Sequence, residues 1–139
     1  MQNPSDPELA ELLRAVKRIA VVGIKDDPQQ DAHRVPRYLQ QHGYRILPVS
    51  PKCRDVLGEP CAATLAALRE PADLVNLFRA PQHVAAHADE ILALRPLPRA
   101  VWLQLGIRDD ASAERLAAAG IQVVQDRCLM VDHRRLLGG

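Results

Sequence analysis

Residues Arg18 to Ile24 read R-I-A-V-V-G-I, an apolar run that ends at a glycine and passes into Lys25-Asp26-Asp27-Pro28-Gln29-Gln30. No other feature constrains the fold as tightly. A run of aliphatic residues without polar alternation has no solvent face, so it belongs inside a parallel sheet covered on both sides. In such sheets, ligands bind where the strands' carboxyl ends meet the N-termini of the following helices. A second run, Tyr44-Arg45-Ile46-Leu47-Pro48-Val49-Ser50-Pro51, follows about one helix later. The pair reads as the start of a β-α-β unit.

The rest of the chain continues the alternation. Asp6-Pro7-Glu8 offers an N-cap, a proline at the first helical position and an acidic first turn, for a helix reaching about Val16. A helix is expected from Asp31 to His42, stopped by Gly43; Pro36 inside it is tolerable if the helix effectively begins near His33. Strands are expected at Arg18–Ile24, Tyr44–Val49, Ala72–Phe78, Arg99–Leu103 and Ile121–Val124, with helices at Pro81–Leu94 and Asp110–Ala119. Pro51 to Ala63 reads as loop, Thr64 as the cap of a short helix to Leu68, and Arg127–Leu137 as a closing helix or extended tail. The sum is a single α/β domain: a three-layer, Rossmann-like, doubly wound sheet of about five parallel strands, with strand one expected at the centre. Residues 1–5 and 134–139 are expected to be tails.

Composition narrows the partners. In 139 residues the formal net charge is +1, which offers no global attraction to nucleic acid or to a membrane surface. Phe78, Trp102, Tyr38 and Tyr44 are the whole aromatic complement, too sparse for a base-stacking surface. No stretch approaches the roughly 20 apolar residues of a membrane span, and the N-terminus lacks the basic start and apolar core of a signal peptide. Cys53, Cys61 and Cys128 are odd in number and have no C-x-x-C spacing, which argues against a disulfide framework or structural zinc and for a cytoplasmic protein with reduced thiols. A homodimer is the default assembly.

The loops then limit the ligand. A dinucleotide fingerprint carries three glycines, so that backbone can approach a pyrophosphate. Here only Gly23 is present, in Gly23-Ile24-Lys25-Asp26-Asp27-Pro28. Where an NAD site has an acidic residue after the second strand, this chain has Ser50-Pro51-Lys52. Both departures count against NAD. A cation in that place suits a phosphorylated ribose, as in NADP or coenzyme A.

Val22-Gly23-Ile24, Asp27-Pro28, Tyr38-Leu39, His42-Gly43-Tyr44, Pro48-Val49-Ser50-Pro51, Leu57-Gly58-Glu59 and Phe78-Arg79 occur in one order and spacing. Val101-Trp102-Leu103-Gln104-Leu105-Gly106-Ile107, Ala119-Gly120 and Val123-Val124-Gln125-Asp126-Arg127-Cys128 continue the series. Together they resemble the small, single-domain CoA-binding protein family, over roughly Leu12 to His133. The resemblance implies a fold similar to the CoA-binding domain of succinyl-CoA synthetase, without that enzyme's phosphohistidine segment. It implies coenzyme A or an acyl-CoA as ligand. Gly23, Ile24 and Lys25 would line the pyrophosphate loop, and Val49, Ser50, Pro51 and Lys52 the adenosine side. Phe78, Arg79, Pro81 and Val84 would flank the adenine or pantetheine, and Gln104 the pantetheine arm. The chain departs from the family pattern at Lys25 (usually serine), at Gln30-Asp31-Ala32 (usually R-P-S) and at Ala80 (usually a second arginine).

Several residues have plainer readings. Phe78, Trp102 and Val84 read as core, and His83 with His87, at i and i+4 without a third ligand, as a solvated helix face. Cys128, beside Arg127 and near His133, would be the nucleophile of a CoA-thioester or NADP-linked enzyme, but a buried, inert cysteine is the simpler expectation. No catalytic residue and no metal site is assigned. A non-catalytic CoA-binding or regulatory role leads; a scaffold that has lost its ligand and serves as an interaction module is the remaining alternative.

Overall fold

Near-continuous apolar strands do pair in parallel here. The computed structural model describes residues 2–138. In chain order the elements are α1 (Asp6–Ala15), β1 (Arg18–Val22), α2 (Asp31–Gln41), β2 (Arg45–Val49), β3 (Asp55–Val56), β4 (Glu59–Pro60) and β5 (Leu74–Leu77). Then follow α3 (Val84–Leu92), β6 (Ala100–Leu103), α4 (Asp110–Ala118), β7 (Gln122–Val124) and α5 (Leu129–Leu137). The main sheet has the order β2-β1-β5-β6-β7, parallel throughout. Its centre is therefore β5, not β1, which lies between β5 and β2. Among the described residues no helix is long and apolar enough to cross a membrane.

Each strand sends alternate residues to opposite faces. Ile19, Val21, Ile46, Leu74, Trp102 and Val124 pack with α1, α2 and α5, through Leu9, Leu12, Val35, Leu39 and Leu129. Ala20, Val22, Val75, Leu77, Val101 and Leu103 pack with α3 and α4, through Val84, Ile91, Ala113 and Leu116. Two buried clusters on one sheet make the three layers.

The structure differs from the sequence reading in details that matter below. The cap of α1 is Ser5, in a reciprocal capping box with Glu8, rather than Asp6. The helix α2 begins at Asp31 despite Pro36. Proline removes the N–H that would bond the Ala32 carbonyl, and the backbone N–H of Lys25 donates to that carbonyl instead, at 3.3 Å. The stretch expected as loop contains the antiparallel hairpin β3–β4. An isolated parallel bridge, Val49 to Ala62, then fastens this segment to the edge of β2. Residues 134–137, expected as tail, are the last part of α5. Asn3 is likewise bonded to the Gln125 backbone in both directions, at 2.8 Å. Gly139 lies outside the described residues.

Asp73 clasps the sheet edge opposite the strands' carboxyl ends. Its carboxylate accepts the backbone N–H groups of Lys17 and Arg18 at 2.9 and 2.8 Å, and its carbonyl accepts that of Arg99 at 2.8 Å. One residue thus aligns the starts of β1, β5 and β6. The substitution Asp73→Ala strands two backbone donors and is expected to lower the unfolding free energy by about 1–3 kcal/mol in urea titration, with Asp73→Asn milder.

The seam between α2 and α5 holds a polar ring cluster. The Tyr38 hydroxyl and His133 Nδ1 are 2.8 Å apart, and the His133 ring stands 5.2 Å from that of His42 and 5.5 Å from that of Tyr44. Arg134 covers the outer face of Tyr38. Burial, and secondarily the nearby His42, push the His133 pKa below its ordinary 6.5. The folded chain therefore favours neutral His133. Its contribution is complete above the unfolded pKa and is lost as pH falls from there towards the depressed value. Thermal melts should show a falling Tm between about pH 7 and about pH 5, and a shallower fall in His133→Asn.

Candidate ligand site

At the carboxyl end of the sheet the ends of β1, β2 and β5 converge on Gly23. Its φ is +82°, and its N–H donates to the Val49 carbonyl at 3.0 Å. A Cβ there would stand 2.4 Å from the Phe78 carbonyl oxygen. Only glycine lets the loop after β1 pass so close under the loop after β5. The position therefore needs glycine whether or not a ligand is present.

Around this crossing lies a cleft of about 190 Å3, with Gly23, Lys25, Ser50, Lys52 and Arg79 in its lining. The turn after β2 is shaped by Ser50, whose buried Oγ accepts the Lys52 N–H at 3.2 Å and whose own N–H donates to Ala62 at 2.9 Å. Lys25 and Lys52 are exposed, and neither has an ion-pair partner among the described residues. Arg79 is half-buried and held from behind. Its Nε–H donates to His87 Nε2 at 3.3 Å, and His87 Nδ1 lies 2.7 Å from a Glu90 carboxylate oxygen. That geometry calls for a neutral imidazole that accepts from Arg79 and donates to Glu90. The terminal nitrogens of Arg79 have no hydrogen-bond partner among the described residues. Three cations from three loops thus line one small cleft together with Glu90, whose carboxylate is engaged by His87.

On the other side of the glycine loop, a groove of about 590 Å3 runs between the start of α2 and the start of α5. It shares Gly23, Lys25 and Arg79 with the cleft and adds Phe78, Gln104 and Cys128. Gln104 is buried, and its Oε1 accepts the N–H of Leu129 at the start of α5, at 3.3 Å.

Of the residues that the sequence singled out, Gly23, Lys25, Val49, Ser50, Pro51, Lys52 and Arg79 line the cleft, and Phe78 and Gln104 the groove. Three stand apart. The side chains of Ile24 and Val84 are wholly buried in the two cores, so only the backbone of Ile24 belongs to the loop. Pro81 is exposed at the head of a 3-10 turn and lines neither cavity. His87 and Glu90 were not picked out for the site. The i, i+4 pair expected on a solvated face is divided: His83 is exposed, while His87 forms the cleft wall behind Arg79. The repeat at i and i+3 from His87 to Glu90 was the available signal, but nothing in the sequence ties it to Arg79.

Cys128 is half-buried at the N-cap of α5. The groups that would activate it are engaged elsewhere. Arg127 is bidentate to Asp132 at 2.6 and 2.8 Å, and His133 is bonded to Tyr38. Cys61 lies near Cys53, and burial foremost pushes its thiol up to about 11, away from thiolate chemistry.

The CoA binding domain family matches residues 17–134. The uncharacterised Bacillus subtilis (strain 168) protein YneT is 37% identical over 134 residues, 96% of this chain and 97% of its own. Among solved structures, Thermus thermophilus cell-free ID.343 is 48% identical with a TM-score of 0.91, the match spanning 96% of this chain and 99% of that one. A hypothetical protein from Pyrococcus horikoshii OT3 is 30% identical with a TM-score of 0.92, over 99% and 98% of the two chains.

The substitution Gly23→Ala would force a Cβ against the Phe78 carbonyl and a left-handed backbone onto alanine. It is expected to destabilise the fold by roughly 2 kcal/mol or more in denaturant titration. Gly43→Ala, with nothing within 4 Å of its Cβ, should cost only the roughly 1–2 kcal/mol of left-handed strain.

Proposed function

The chain belongs to the CoA binding domain family, and on that premise we propose that it binds coenzyme A or an acyl-CoA across the carboxyl edge of its sheet, as a non-catalytic or regulatory binding protein. The observation that carries this reading is the convergence of Lys25, Lys52 and Arg79, from three separate loops, on one cleft beside Gly23. Coenzyme A presents a pyrophosphate and a ribose phosphate, and charge-assisted bonds to such groups are the strong ones. Lys52, in the turn after β2, takes the place where a dinucleotide site has a ribose-binding carboxylate, and so suits a phosphorylated ribose. Lys25 and Arg79 flank the loop assigned to the pyrophosphate.

The departures from the family pattern fit this assignment. The cations missing at Ala80 and before α2 are offset by Lys25, which stands in the loop before α2. Gln104 in the wall of the groove offers polar contact to a pantetheine amide. The engaged states of Arg127 and His133 support binding without covalent chemistry at Cys128. The three free thiols support a cytoplasmic location.

Isothermal titration with CoA provides the test. Lys25→Ala, Lys52→Ala and Arg79→Ala should each weaken binding by about 1 kcal/mol or more, roughly fivefold upwards. His87→Ala should weaken it less than Arg79→Ala, since it only releases the arginine. Dephospho-CoA should bind wild type and Lys52→Ala with nearly equal affinity. No retention of CoA at millimolar concentration overturns the reading.

A further inference from the structure

We propose that the groove beyond the glycine loop is an acyl subsite, so that the preferred ligand is a CoA thioester with an apolar acyl group rather than free coenzyme A. The inference rests on the reading of the cleft as a CoA site. Cleft and groove share Gly23, Lys25 and Arg79, so they are two halves of one depression divided by the loop. Their linings differ in balance. The cleft sets Ser50, Lys52, Thr64, His87 and Glu90 among its apolar residues, whereas the groove, polar along the start of α2, adds the apolar side chains of Leu105, Ile107, Met130 and Val131.

Leu105 is 68% exposed and Val131 49%, and these two are the exposed large hydrophobic residues among those described. Both line the same groove. Scattered exposed apolar residues need no explanation, but two converging on a cavity that adjoins a ligand site do. Nor is Leu105 stranded on a loose loop. The N–H of its neighbour Gly106 donates to the Asp126 carboxylate at 2.6 Å, and the Asp126 N–H donates to the Ile107 carbonyl at 3.0 Å. Asp126 holds a φ of +56° to make this clip, a strained conformation for a residue with a side chain. Val131 lies in the first turn of α5, whose Leu129 N–H is tied to Gln104 from the same turn as Leu105. The chain thus sets two apolar walls rigidly and leaves them uncovered.

With Lys25 and Arg79 taken up by the pyrophosphate, the groove's remaining charged wall favours no acidic acyl group. Asp31 and Arg34, at the start of α2, are ion-paired with each other. A thioester leaving the pantetheine arm past Gln104 would meet hydrocarbon at Ile107, Met130, Leu105 and Val131. The chemistry that fits is a neutral aliphatic acyl chain.

Titrations of wild type and of the double variant L105S/V131S with CoA, acetyl-CoA, butyryl-CoA, hexanoyl-CoA and octanoyl-CoA test this. Wild-type affinity should rise by about fourfold per buried methylene until the groove is filled. The double variant, its fold checked by circular dichroism, should lose that rise while keeping its affinity for free CoA. Affinity that is flat with chain length, or a rise unchanged in the variant, overturns the acyl subsite and leaves CoA binding intact. Absence of binding by every probe, free CoA included, overturns the reading of the cleft itself. A ligand-free wild type that elutes as a dimer, with the variant a monomer, makes the patch a self-interface and likewise overturns the acyl subsite.

Discussion

The whole carboxyl edge of the sheet hangs on one close approach, that of the Gly23 backbone to the Phe78 carbonyl. The loop after β1 has to turn away from the sheet while the loop after β5 crosses over it, and the space between them admits no side chain. The same glycine donates to Val49 in β2. Three strand ends are therefore fixed to one another through a residue with no side chain. What the site presents, Lys25 from one loop, Lys52 from the second and Arg79 from the third, owes its mutual geometry to that crossing rather than to contacts among the cations themselves. Like charges repel, so the loops must be held by the backbone before they can be brought together.

Arg79 is treated differently from the lysines. A guanidinium is a planar fork, useful only if its plane is set, and the Glu90–His87 pair sets it from the Nε side while leaving the terminal nitrogens for whatever enters the cleft. A carboxylate in direct contact would neutralise the cation. Interposing a neutral imidazole orients Arg79 while keeping the Glu90 charge one ring further away. Arg127 and Arg135, in contrast, are bonded directly to Asp132, and Arg135 also to Asp6; these pairs fasten α5 to the loop before it and to α1. Arg79 on one side and Arg127 with Arg135 on the other thus serve different ends, distinguished by whether a carboxylate touches them.

How much of this was legible beforehand follows from the range of the interactions. The strands announce themselves because burial on both faces removes polar alternation, and the helices because their apolar spacing is local. Both came out in the right order. The position of β1 did not, since strand order is a property of crossovers, and the sequence of one strand says little about which neighbours flank it. The hairpin β3–β4 was hidden because its strands are two residues each, too short for periodicity. In the site, Gly23, Ser50, Lys52 and Arg79 follow strand ends and could be placed by counting. His87 and Glu90 could not, for they reach the cleft from the outer helix α3, and their link to Arg79 exists only in three dimensions. Ile24 and Val84 show the opposite failure. The family resemblance put them on the site, and burial puts their side chains in the core, as the plainer reading of Val84 expects.

Pro36 joins local and global constraints most directly. Within an isolated helix a proline there would strand the Ala32 carbonyl and cost about 3 kcal/mol. In the fold, that carbonyl is the acceptor the glycine loop needs, since the Lys25 N–H has left the sheet and would otherwise lack a protein partner on its way around Gly23. The defect in the helix and the orphan in the loop cancel. With an alanine at this position a helical N–H would share the Ala32 carbonyl, which can accept two bonds, whereas the proline leaves that carbonyl to the Lys25 N–H alone. The first crossover helix thereby acts as the loop's template, and the cation that departs from the family pattern sits on the residue this template fixes.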